Sequence, residues 1–67
     1  MIWSEALEAM KLGHKVSHRY FSVDEWMELL PDGNFRFEDG VVCNPSLFWF
    51  DRSTDDWKID WEIYEEL

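Results

Sequence analysis

Between Trp57 and Tyr64 the chain alternates apolar and polar side chains almost without error, with Trp57, Ile59, Trp61 and Ile63 on one parity and Lys58, Asp60, Glu62 and Tyr64 on the other. A period of two is what a strand with one buried face needs, and a helix cannot satisfy it. The segment is expected to lay two tryptophans and two isoleucines against a core. The cover for that face comes from the other end of the chain, where Trp3, Ala6, Leu7 and Met10 recur at helical spacing and leave Glu5, Glu8 and Lys11 outside. Ser4 suits the N-cap, the two glutamates suit the positive end of the helix dipole, Lys11 suits the last turn and Gly13 the left-handed position after it.

From His14 to Phe21 the pattern returns to a strand, with Val16, His18 and Tyr20 on one face and Lys15, Ser17, Arg19 and Phe21 on the other. Residues 23–30 read two ways. Ser22-Val23-Asp24-Glu25 has capping-box spacing and could start a helix through Leu30, while Trp26–Leu30 also serves as a strand ending at the turn Pro31-Asp32-Gly33-Asn34. A capped turn followed by a strand is the favoured reading. Phe35–Phe37 then returns as the hairpin partner, and Glu38-Asp39-Gly40 makes the next turn. Asn44-Pro45 pairs an N-cap residue with proline at the first helical position. The helix it opens carries Leu47, Phe48, Trp49 and Phe50, too many apolar residues for one narrow stripe, so part of it should meet the sheet or another subunit. Asp51–Asp56 reads as a loop. The expected fold is one α+β domain over residues 1–67, a small antiparallel sheet of about four strands with an N-terminal helix and a short second helix. Should the last strand lie beside the first, Lys15 and Arg19 would face Asp60 and Glu62.

A chain of 67 residues buries only ~60% of the surface its unfolded form exposes, so its stability margin is small. Disulfides are closed to it because Cys43 stands alone. Association of copies is the remaining route. Five Trp, five Phe and two Tyr are generous for so small a core and suit an interface, so a homo-oligomer is expected. Fifteen acidic residues against six basic ones give a net charge of −9, which repels nucleic-acid backbones and anionic lipid and argues against direct DNA or RNA binding. The start of the chain lacks a basic, then apolar, leader pattern, and nowhere do enough apolar residues follow one another to span a bilayer. A cytoplasmic protein is expected.

Catalytic constellations do not emerge. His14 and His18 have zinc spacing only on a helix, and here they fall on an expected strand. Cys43 neighbours Val41 and Val42 with no nearby cation in sequence to activate it, which is the setting of a buried structural thiol. The carboxylate pairs Asp24/Glu25, Glu38/Asp39 and Asp55/Asp56 all fall in expected turns rather than an apolar cleft. Gly13, Gly33 and Gly40 are isolated and form no phosphate loop. No enzyme, cofactor or metal is expected. Two surface features remain. Lys15, His18, Arg19, Arg36, Arg52 and Lys58, if they converge with Phe21, Trp26 and Trp49, would stack a base and hold phosphate; Arg19, Phe21, Trp26, Arg36 and Trp49 are the candidate ligand residues. The acidic shell, alternatively, could imitate a polyanion in the basic groove of a nucleic-acid enzyme.

Glu5-Ala6-Leu7, Lys11-x-Gly13, Lys15-Val16, the basic position at Arg19 and the terminal Asp60-Trp61-Glu62-Ile63 resemble the short phage and prophage proteins of the Thoeris anti-defence family, second type. The resemblance covers roughly the first 21 residues and the last eight, and it places the family's aromatic position at Phe21. It implies a small α+β fold that oligomerises and sequesters a cyclic nucleotide signal of a bacterial immune system without chemistry. Some relatives are anti-CRISPR proteins, so the resemblance also keeps an inhibitor of a host defence protein in view. Where the family commonly carries Trp-Asn-Gly after the first strand, this chain has Phe21-Ser22-Val23, and its middle is shorter.

Overall fold

The first helix starts at Trp3, not after Ser4, because a carboxylate caps it from inside. Glu5 Oε1 accepts the Ile2 N–H at 3.0 Å, while the Ile2 carbonyl accepts the N–H groups of Glu5 and Ala6, each at 3.1 Å. Isoleucine has no side-chain acceptor, so only this half of a capping box exists. The early start draws Trp3 into helix α1 (Trp3–Lys11) and sets its indole edge-on to Trp49 at 4.9 Å. At the other end the His14 N–H reaches the Ala9 carbonyl at 3.1 Å and the Gly13 N–H reaches Met10 at 3.0 Å. This paired closure is a Schellman motif, and it needs the φ of +95° that Gly13 adopts.

The computed structural model describes residues 1–65. After α1 come β1 (Val16–His18), β2 (Met27–Leu29), β3 (Phe35–Phe37), β4 (Val42–Cys43), helix α2 (Pro45–Phe50), a 3₁₀ turn (Asp55–Lys58) and β5 (Trp61–Ile63). The five strands form one antiparallel sheet in the order β4-β3-β2-β1-β5. The α+β expectation therefore holds, with one strand more than anticipated. The extra strand is β4, whose two residues are too few to show a period. The capped turn ahead of β2 is present, with Glu25 N–H to Ser22 O at 3.0 Å and Ser22 N–H to Glu25 Oε1 at 3.2 Å. Asn44 caps α2 through Oδ1, which accepts the Leu47 N–H at 2.9 Å.

Three expected strands are shorter than their patterns, Trp26–Leu30 losing one residue at each end. The first begins at Val16 and ends at His18, because the chain turns back there: Phe21 N–H donates to His18 O at 2.8 Å and Tyr20 N–H to His18 Nδ1 at 3.1 Å. The last keeps only Trp61–Ile63. Asp60, at a φ of +65°, interrupts the extended backbone, so Trp57 belongs to the 3₁₀ turn and Ile59 faces solvent. The core gathers Ala6, Ala9 and Met10 of α1, Phe48 of α2, and Val16, Met27, Phe35 and Trp61 of the sheet. Both helices thus cover the same face, the one that Val16, Met27 and Trp61 share through their pairing register. Among the described residues no helix is long and apolar enough to cross a membrane.

Among the described residues, His18 is the one buried polar residue of this core. Its Nδ1 accepts from a backbone N–H, so the ring proton sits on Nε2, which lies 2.8 Å from Ile59 O and 3.0 Å from Asp56 O. The ring also stacks on Trp57 at 4.3 Å. This imidazole ties the Asp56–Ile59 segment to β1, a structural duty that the spacing to His14 did not suggest. His14 itself lies exposed ahead of β1.

Candidate functional site

Alternation along the strands sends to the uncovered face whatever the core does not take. Pairing of Val16 with Met27 sets Lys15 opposite Glu28 and Ser17 opposite Trp26. Arg36 stands opposite both Glu28 and Val42, and Ser17 stands opposite Glu62. Arg36 donates through Nε at 3.0 Å and Nη2 at 2.8 Å to Glu28 Oε2. Arg19 Nη1 reaches Asp60 Oδ2 at 3.2 Å, a charge contact expected from the pairing of the first and last strands. Lys15 Nζ lies 4.2 Å from the centroid of the Trp26 ring, a cation–π contact.

Arg19, Trp26 and Arg36 therefore share this open face. Phe21 and Trp49 do not. Phe21 is on the same parity as Arg19, but the reversal after His18 turns its ring to the core side, 5.8 Å from Trp61 and 6.4 Å from Phe37. Trp49 packs edge-on against Trp3 at 4.9 Å and Phe48 at 5.0 Å. The other cations are dispersed. Arg52 lies over the Phe48 ring at 4.3 Å and donates to Phe48 O at 2.9 Å, and Lys58 pairs with Asp55 at 3.1 Å. Sequence parity already put Ser17 beside Lys15 and Tyr64 on the polar side of the last strand; only the strand register sets Ser17 opposite Trp26 and Glu28 opposite Lys15.

Two of the concave surfaces carry the opposite charge. A groove of about 510 Å³ runs past Ser17, Val23, Asp24, Glu62, Tyr64 and Glu65. A second, of about 480 Å³, lies between α1 and β5 and is bounded by Glu5, Glu8, Ala9, Leu12, His14 and Ile63. Neither has a lysine or arginine in its wall. Burial pushes the Cys43 thiol pKa up, against a smaller opposing pull from Arg52, which keeps it from the thiolate form that nucleophilic chemistry needs. Tyr20 is also raised, first because its hydroxyl donates to Asp56 Oδ2 at 2.9 Å and the bond is lost on ionisation. Among the described residues no group of three or more His, Cys, Asp or Glu side chains is placed to hold a metal ion. Comparison with protein-family models, curated proteins and solved structures finds no match to this chain.

Proposed function

We propose that the chain is a non-catalytic binding protein of a phage, acting in the cytoplasm of the host bacterium, which sequesters a cyclic nucleotide immune signal on the open face of its sheet. The observation behind this reading is the grouping of Trp26 with Lys15, Arg19 and Arg36 on the one sheet face that neither helix covers. An aromatic platform contributes about 1–3 kcal/mol per stacked base, and a guanidinium presents a fork matched to phosphate oxygens. The Arg36–Glu28 pair is partly exposed, at 47% and 23%, and the Arg19–Asp60 pair more so, so exchanging a carboxylate for a phosphate forfeits only about 0.2–1 kcal/mol per pair. The family resemblance at the two ends supports the same ligand class. Association of copies would enclose a surface that one copy leaves open to water.

Calorimetric titration with cyclic ADP-ribose derivatives and cyclic oligonucleotides tests the reading. Binding that Trp26→Ala and Arg36→Ala each weaken tenfold or more supports it, and titrations without heat across the panel overturn it.

A second reading is favoured by the acid-lined grooves and by the ion pairs that Arg19 and Arg36 already make. In it the protein inhibits a host defence enzyme by occupying a basic surface. Salt separates the two. Capture of a basic protein slows as salt screens the attraction, whereas a phosphate ligand approaching a chain of charge −9 associates faster when the repulsion is screened.

A further inference from the structure

The turn between β3 and β4 decides which way each β4 residue faces its backbone. Phe37 N–H donates to Val41 O and Gly40 N–H to Phe37 O, both at 2.9 Å, with Gly40 at a φ of +86°. Val41 therefore turns its carbonyl to β3, and Cys43, two residues on and paired with Phe35, does the same. Val42 lies between them, so its N–H and carbonyl point out of the sheet, where they have no hydrogen-bond partner among the described residues. The outward groups on either side are used. Gly40 N–H is held by Phe37 O, and Asn44 O accepts the Phe48 N–H at 3.1 Å. The β4 edge is thus open at a single residue, far from either end of the chain.

A single open residue suits a partner that brings the same feature. Val42 offers one donor and one acceptor, so a two-fold axis through it, normal to the sheet, pairs it with Val42 of a second copy by two hydrogen bonds and satisfies both residues. The surroundings permit the approach. Gly40–Phe50 is the longest run without a charged side chain in a chain of net charge −9, and Val41 and Val42 on the edge are 56% and 49% exposed. In this register the turn that carries Glu38 and Asp39 lies against Asn44-Pro45-Ser46 of the second copy, not against its own acidic counterpart. A basic partner protein, by contrast, finds no carboxylate along the run.

We propose that two copies of this chain join through β4, Val42 to Val42, so that the five strands of each run on as one antiparallel sheet. An axis normal to the sheet keeps both uncovered faces on the same side. Arg36 stands opposite Val42 on that face, three strand spacings, or about 14 Å, from Arg36 of the second copy. Under the nucleotide-binding reading, on which this step alone rests, the second copy thereby contributes a second guanidinium to the site. Two hydrogen bonds and a small apolar contact make a weak dimer, half-formed at about 0.1–1 mM.

Sedimentation equilibrium of the intact chain without nucleotide, from about 10 μM to about 1 mM, tests the pairing. The mean mass should rise with concentration, and the dimer should tighten as added salt screens the repulsion between copies. Val42→Pro removes the outward N–H and leaves the bonds of Val41 and Cys43 to β3 in place; it should weaken association at least tenfold, while Val42→Ile keeps the backbone and should stay within twofold. Hydrogen exchange applies the same test to the unaltered chain: the Val42 amide should exchange about twofold or more slowly at about 1 mM than at about 50 μM. A mass that stays at one copy up to about 1 mM, a Val42→Pro variant that associates like the parent, an amide whose exchange ignores concentration, or association that salt dissolves overturns the pairing. With no nucleotide present, each of these outcomes is distinct from a failure of the calorimetric titration, which alone bears on ligand binding.

Discussion

Replacing His18 by alanine tests the central claim about how so short a chain holds its last third in place. The imidazole is only 4% exposed. Its nitrogens bind the backbone of Tyr20 on one side and of Asp56 and Ile59 on the other. One neutral hydrogen bond per ring nitrogen, at about 0.5–1.5 kcal/mol net, gives about 1–3 kcal/mol. The stack on Trp57 at 4.3 Å adds about 0.5–1.5 kcal/mol beyond area burial. The expected loss is then about 2–4 kcal/mol, a large share of the 3–10 kcal/mol or so that a chain of this length has in total. Urea unfolding followed by tryptophan fluorescence reads it directly. With a slope of about 1 kcal/mol per molar, the midpoint should fall by about 2–4 M, or the variant should be unfolded without denaturant. His18→Phe keeps the stack and strips both nitrogens, so it should lose about 1–3 kcal/mol. A midpoint within about 0.5 M of the parent for either variant would refute the assignment of these bonds as a structural tie.

Other outcomes follow from single contacts. Gly13→Ala forces an L-residue to a φ of +95° and should cost about 1–2 kcal/mol in the same unfolding assay. Asn44→Ala deletes the Oδ1 acceptor of Leu47 N–H and should cost about 1 kcal/mol, mostly as fraying of α2 by circular dichroism. Tyr20 has its pKa raised above 10.0 by the bond to Asp56, so the folded state holds its proton more tightly. That contribution is complete below pH 10.0 and disappears as pH climbs through the folded value. Absorbance at about 295 nm should show a late-titrating phenol that Tyr20→Phe removes, and the alkaline fall in stability should be shallower in that variant. Leu47 and Phe50 stand 64% and 86% exposed on α2; Phe50→Ser should leave monomer stability within about 0.5 kcal/mol and lower the mass seen in sedimentation equilibrium, and an unchanged mass removes α2 from the expected homo-oligomer contact.

Local chemistry alone determined much of this protein. Gly13 as a left-handed helix stop, Asn44-Pro45 as a helix start, the Ser22–Glu25 turn and the Phe35–Phe37 return depend on contacts within a few residues, and these were legible in order along the chain. The Trp61 and Ile63 parity was legible too, because a strand on a one-sided sheet writes its burial into every second residue. What the tertiary structure decided concerns residues whose role depends on distant partners. β4 exists only because β3 offers it an edge. Trp57 left the strand because Asp60 breaks it and His18 holds the preceding turn, and Phe21 went to the core because the chain reverses at His18. Arg19, Trp26 and Arg36 became one surface only when β1, β2 and β3 lined up in register, since no spacing within a sequence specifies which side chains of separate strands stand opposite one another.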